Sequence, residues 1–143
     1  MNHEASLQSL IDFFQSISRN SVAEISRIYT DDVWFKDPFN EVNGINEVRS
    51  IFTHMFDQVG SPRFVVTQSV LQGEHAFLTW DFLFFMKNQS KVEYCIRGAT
   101  HLRFAPDGRV NFHRDYWDLA EELYEKLPLL GTLMRLLKRA ARR

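Results

Sequence analysis

At 143 residues the chain has room for one domain with a real core, and its 45% hydrophobic residues supply one. A net charge of −1 gives no electrostatic footprint for nucleic acid, and a single cysteine, Cys95, excludes an internal disulfide and a cysteine-built zinc site. The first residues lack the basic-then-apolar pattern of a secretory signal, and no run of about 18 apolar residues occurs, so the cytoplasm is the expected location.

Charge is unevenly placed. After Glu125 come six basic residues (Lys126, Arg135, Lys138, Arg139, Arg142 and Arg143) and no acidic one. Aromatic residues make up 14% of the chain, with thirteen Phe, enough to wall a hydrophobic cavity as well as to fill a core.

In chain order, residues 5–18 place Leu7, Leu10, Ile11, Phe14 and Ile17 on one helical stripe. Ser21-Val22-Ala23-Glu24 reads as a capping box opening a short helix to about residue 30 that buries Ile25 and Ile28, with Tyr29 as a further candidate. Residues 33–37 are extended, because Pro38 disfavours the helical region for Asp37. A loop is expected over 40–44, then a helix over 45–59 with Ile45, Val48, Phe52, Met55 and Val59 facing inward, ended by Gly60-Ser61-Pro62.

From Arg63 the period changes to two, predicting strands over 63–72, 75–87, 91–104 and 109–117. Asp107-Gly108 between the last two is a hairpin signal, since glycine supplies the positive φ that such turns need. Strands joined by short turns are antiparallel neighbours. Helices followed by a meander make the class α+β, with helices on one face of a curved antiparallel sheet. Cys95 falls in an apolar strand pattern and reads as an inert core thiol. Helix resumes at 119–126, breaks at Pro128 and continues to 142. Leu130, Leu133, Met134, Leu137 and Ala141 form its apolar stripe, opposite Arg135, Lys138, Arg139 and Arg142. Residues 1–118 are therefore assigned to one domain and 119–143 to a basic amphipathic extension. Packing on the fold or on a second copy is the expected use of that extension, and peripheral contact with an anionic membrane is the lesser alternative.

Two polar clusters carry the candidate chemistry. Asp37 follows Trp34-Phe35 and precedes Pro38-Phe39. A carboxylate taken out of water is a stronger base, although an Asp-Pro turn bonding to its own backbone reads equally well. On the last strand His113, Asp115 and Trp117 share one face, while Phe112, Arg114 and Tyr116 share the other. A histidine such as His113 is a residue type suited to acid–base work, with Asp115 as its partner or as a second carboxylate; the alternative is a structural His–Asp pair. On the preceding strand Gly98, Thr100 and Leu102 share a face opposite Arg97, His101 and Arg103. Asp81, within Thr79-Trp80-Asp81-Phe82, either faces a pocket or pairs with Arg97 or Arg103 across the sheet. No HExxH-like spacing, phosphate loop or nucleophile elbow is present, so no metal and no cofactor are expected.

The order of elements resembles the superfamily of nuclear transport factor 2, scytalone dehydratase, SnoaL-like polyketide cyclases and ketosteroid isomerase, over about residues 5–118. The local matches are Ile28-Tyr29-Thr30-Asp31-Asp32 leading to Asp37-Pro38-Phe39, Gly44 opening a helix with Glu47 and Phe52, and Leu102-Arg103-Phe104 before the Asp107-Gly108-Arg109 turn and Tyr116-Trp117. The resemblance implies a cone-shaped sheet around an apolar pocket capped by helices, and a homodimer through the convex sheet face. It puts Asp37 at the position of the isomerase base and turns His113, Asp115 and Thr100 toward the pocket. Phe14, Trp34, Phe52, Thr100 and Trp117 are the expected ligand contacts. The isomerase's two oxyanion donors have no counterpart here: Phe13 or Phe14 stands near the tyrosine position and Thr100 near the aspartate, so true ketosteroid isomerase activity is not expected. What is expected is a small hydrophobic ligand. Either Asp37, His113 and Asp115 carry out proton-transfer chemistry on it (isomerisation, cyclisation or dehydration), or the fold serves as a non-catalytic carrier or an interaction module.

Overall fold

Helical periodicity in the first residues folds as expected: Leu7, Leu10, Ile11 and Phe14 are all buried along one side of α1 (Glu4–Gln15). This is a computed structural model, and it describes residues 2–87, 89–123 and 139–140. After α1 come α2 (Arg19–Val22), a 3₁₀ turn (Ile25–Arg27), β1 (Tyr29–Lys36), β2 (Glu41–Asn43), α3 (Ile45–Gln58), β3 (Val59–Gln72), β4 (His75–Met86), β5 (Gln89–Phe104), β6 (Val110–Tyr116) and α4 (Leu119–Glu122).

The six strands form one curved, unclosed sheet in the order β2-β1-β6-β5-β4-β3. The meander from β3 to β6 is antiparallel throughout, as short turns require. Its β5–β6 turn has Gly108 at φ +88°, with the Gly108 amide on the Ala105 carbonyl at 2.9 Å. The chain then closes on its own beginning: β6 lies parallel to β1, with Phe35 opposite His113. Register breaks within β3–β4 and β1–β6 bend these strands, as bulges do. α1 packs on β3, and α3 packs on β1 and β3, so both helices cover the concave face.

Phe14 is the centre of this packing. Its ring meets those of Phe13, Tyr29, Phe52, Phe64 and His113, at centroid distances from 5.4 to 6.5 Å. Period-two burial also holds where the sheet is covered: Ala76, Leu78, Trp80 and Phe84 of β4 and Thr100, Leu102 and Phe104 of β5 all point inward.

Several local expectations are corrected. Ser18, not Ser21, caps α2. Its hydroxyl accepts from the Ser21 amide while the Ser21 hydroxyl accepts from the Ser18 amide. The expected helix to residue 30 stops early, because Tyr29 and Thr30 already belong to β1. The expected loop at 40–44 holds the short strand β2, paired with β1 through Trp34, Phe35 and Lys36. Cys95 is half-buried rather than in the core. Arg97 stands opposite Asp81 in the β4–β5 register, yet its guanidinium reaches Glu122 at 3.0 Å and docks α4 against β5. The rest of the basic extension, residues 139–140 apart, lies outside the described residues. Among the described residues no helix is long and apolar enough to cross a membrane.

Gly98 is required by contact rather than by backbone conformation. It sits opposite Trp80, and an added Cβ would clash with the six-membered ring of the indole, two of whose carbons would lie within 2.5 Å. Gly98→Ala is therefore expected to displace Trp80 and to cost about 1–3 kcal/mol, measured as a lowered urea midpoint; an unchanged midpoint with unchanged tryptophan fluorescence would contradict this packing.

Candidate functional site

The concave face holds a small cavity of about 40 Å³. Its apolar wall is built by Leu10 and Phe14 of α1, Phe52 of α3, Phe64 and Val66 of β3, and Leu78 and Trp80 of β4. One end is polar: Thr100, His113 and Asp115. A water needs about 10–15 Å³ measured this way, so the space suits a few small molecules of water or a compact ligand group, not a steroid skeleton.

A single chain of hydrogen bonds runs through that polar end. The Trp80 Nε1–H lies 2.7 Å from Thr100 Oγ1, Thr100 Oγ1 lies 2.6 Å from Asp115 Oδ1, His113 Nε2 lies 2.7 Å from the same Oδ1, and Tyr29 Oη lies 2.8 Å from His113 Nδ1. Chemistry sets the direction of each bond. The indole only donates and, taken as a carboxylate, Asp115 only accepts. Thr100 therefore accepts from Trp80 and donates to Asp115. Burial, and after it the charge of Asp115, pushes the Tyr29 phenol well above its ordinary value of 10.0, so the phenol keeps its proton. The Asp115 carboxylate can only accept from His113 Nε2, so a neutral imidazole carries its hydrogen there, and its bare Nδ1 accepts from the hydroxyl of the fully buried Tyr29. The proton positions are assigned from these partners.

Both bonds to Asp115 land on Oδ1. Among the described residues no hydrogen bond reaches Oδ2. The side chain of Asp115 is 18% exposed against 6% for His113, and Asp115 also lines an open groove with Lys36, Asp37, Pro38, Arg114, Tyr116, Trp117 and Asp118. Asp115 thus lines both the cavity and the groove.

The expected site residues divide accordingly. Phe14, Phe52, Thr100, His113 and Asp115 converge on the cavity. Asp37 does not line it. The Asp37 carboxylate accepts from the Phe39 amide at 2.8 Å, the Asn40 amide at 2.7 Å and the Asn40 side chain, and its own amide donates to the Asn40 carbonyl. This is the Asp-Pro turn that carries β1 into β2. Trp117 borders the groove and meets the Phe39 ring edge-on at 5.7 Å. Trp34 lies on the opposite face of the sheet, stacked on Phe112 at 4.9 Å, because it alternates with the buried Val33 and Phe35. The same outer face carries His101 stacked on Phe77 and hydrogen-bonded to His75 at 2.9 Å. Burial first, then the neighbouring His75 and Arg103, lowers the His101 pKa.

Tyr29 and Trp80 were not among the expected site residues. Their signal was present, in that each is an aromatic with a polar atom inside an apolar strand, a type that needs a partner once buried. No group of three or more His, Cys, Asp or Glu among the described residues is arranged to hold a metal ion.

The raised Tyr29 pKa gives a pH test. The folded state retains a phenolic proton that the unfolded chain loses near pH 10, so this contribution is intact below that pH and declines as pH rises above it. Compared with wild type, Tyr29→Phe is expected to be less stable at neutral pH by about 1–3 kcal/mol and to show a shallower loss of stability between about pH 9.5 and 11. Parallel stability curves from urea unfolding would contradict the assignment.

Comparison with known proteins follows the same lines. No curated protein matches the sequence. Solved structures match the fold at low identity. A ketosteroid isomerase-like protein from Catenulispora acidiphila, in complex with trimethylamine, is 13% identical over 84% of this chain and 90% of its own, with a TM-score of 0.70. An NTF2-like protein of unknown function from Burkholderia pseudomallei is 17% identical over 85% and 95%, TM-score 0.71. An LEH-like epoxide hydrolase from M. tuberculosis is 14% identical over 95% and 96%, TM-score 0.67. With the SnoaL-like domain model matching residues 10–113, the chain belongs to the SnoaL-like family.

Proposed function

We propose that this protein binds a small, largely hydrophobic molecule in the concave cavity and that Asp115 Oδ2 accepts a proton from it. The observation that carries this reading is a carboxylate with one oxygen held by two donors and the other uncommitted, at the polar end of an otherwise apolar cavity. An acceptor held in this way is positioned before the reaction and needs little reorganisation. The reading keeps proton transfer as the chemistry and gives the role of base to Asp115 in place of Asp37.

His113 is a positioning residue here. Its Nε2–H fixes Oδ1, and Tyr29 fixes the imidazole. Proton transfer to Oδ2 leaves both bonds to Oδ1 in place, so the site can return to its starting state once the proton leaves by the groove. The trimethylamine complex of the Catenulispora protein supports a ligand of few heavy atoms for this fold, in keeping with the cavity's size.

Two substitutions separate this reading from an Asp37-based one. In thermal-shift titrations and turnover assays against compact alcohols, ketones, epoxides and amines, Asp115→Asn is expected to abolish turnover, by at least about 100-fold, with its ligand response altered. Asp37→Asn is expected to leave turnover within about threefold and to lower stability by about 1 kcal/mol through its turn. Loss of turnover in Asp37→Asn with retention in Asp115→Asn would overturn the assignment.

A further inference from the structure

The proton directions in the cavity restrict what can occupy it. This inference rests on the cavity being a ligand site, as proposed above. Every side-chain donor at the polar end is spent: the Trp80 indole N–H on Thr100, the Thr100 hydroxyl and the His113 Nε2–H on Asp115, and the Tyr29 hydroxyl on His113. What remains is acceptor capacity, chiefly Asp115 Oδ2, with its negative charge. A carbonyl or a developing oxyanion would meet no donor there, and an anion would be repelled.

The rest of the wall is aromatic and aliphatic. Phe14, Phe52, Phe64 and Trp80 contribute four ring systems to a cavity of about 40 Å³. Aromatic π-systems attract cations as well as alkyl groups, and a buried charge is tolerated when it is paired and hydrogen-bonded. We infer that the ligand class is a compact alkylammonium ion, its N–H donated to Asp115 Oδ2 and its alkyl groups set among Phe14, Phe52, Phe64 and Trp80. The site has no second carboxylate on its wall, so one positive charge balances it.

A matched pair of probes tests this. tert-Butylammonium and tert-butanol have nearly the same shape and both donate hydrogen bonds, but only the first is charged. Each is titrated into the intact wild-type protein at pH 7, with the Trp80 indole N–H and the Thr100 and His113 amides followed by NMR. The expected result is saturable shifts at these three residues with tert-butylammonium, at least about tenfold tighter than with tert-butanol. Asp115→Asn should remove that preference. The amide can still accept from Thr100 and His113 on its oxygen, so the fold has the means to persist, and the retained Trp80 indole signal reports that it does. Equal or tighter binding of tert-butanol at the same three residues would overturn the cation and leave the small-ligand reading standing. No shift at Trp80 with either probe, or shifts confined to Lys36 and Trp117 in the groove, would overturn both.

Discussion

Five polar side chains meet inside an otherwise apolar cone, and each has to find its partner there. Trp80 and Thr100 come from β4 and β5, His113 and Asp115 from β6, and Tyr29 from β1. One hydrogen-bond chain therefore ties four strands across the concave face, including the parallel junction of β1 with β6. An unsatisfied buried polar group costs about 1–3 kcal/mol. Shifting any of these strands by one residue would send its member of the chain to the wrong face and strand its neighbours. The register of the sheet and the chemistry of the cavity are in this sense one constraint.

Packing supports the same arrangement. Phe14 covers Tyr29 and His113 from α1, Phe35 stacks on His113 at 4.6 Å from β1, and Gly98 leaves the space that Trp80 fills. Phe14, Phe35, Phe52 and Phe64 thus pack around a polar chain whose members would otherwise be solvated. Asp115 alone keeps an uncommitted oxygen and a side chain that reaches both the cavity and the groove.

Much of this was legible in the residues. Period-two alternation put His113 and Asp115 on one face with Thr100 beside them, and helical spacing put Phe14 and Phe52 opposite. The misses have physical causes. Asp37 and Asp115 are both carboxylates near aromatic residues, and only the turn geometry after Pro38 shows that the Asp37 oxygens are occupied by Phe39 and Asn40. Trp34 follows the same alternation that buries Val33 and Phe35, so its outward position was available from residues 33–36 alone. The β1–β6 parallel pairing brings residues 84 positions apart into hydrogen-bond contact, a separation at which local patterns carry no information. That is why Tyr29, although part of the Ile28–Asp32 match, was not read as a site residue.

The proton assignment is the claim on which the rest turns, since it decides that Asp115 accepts and that no side-chain donor is left over. Long-range ¹H–¹⁵N correlation of the His113 ring, recorded between pH 6.5 and 8, reads it directly. The account predicts a neutral imidazole with Nε2 protonated and Nδ1 bare. A ring protonated at Nδ1, whether neutral or cationic, would mean that Tyr29 accepts rather than donates, and would contradict it.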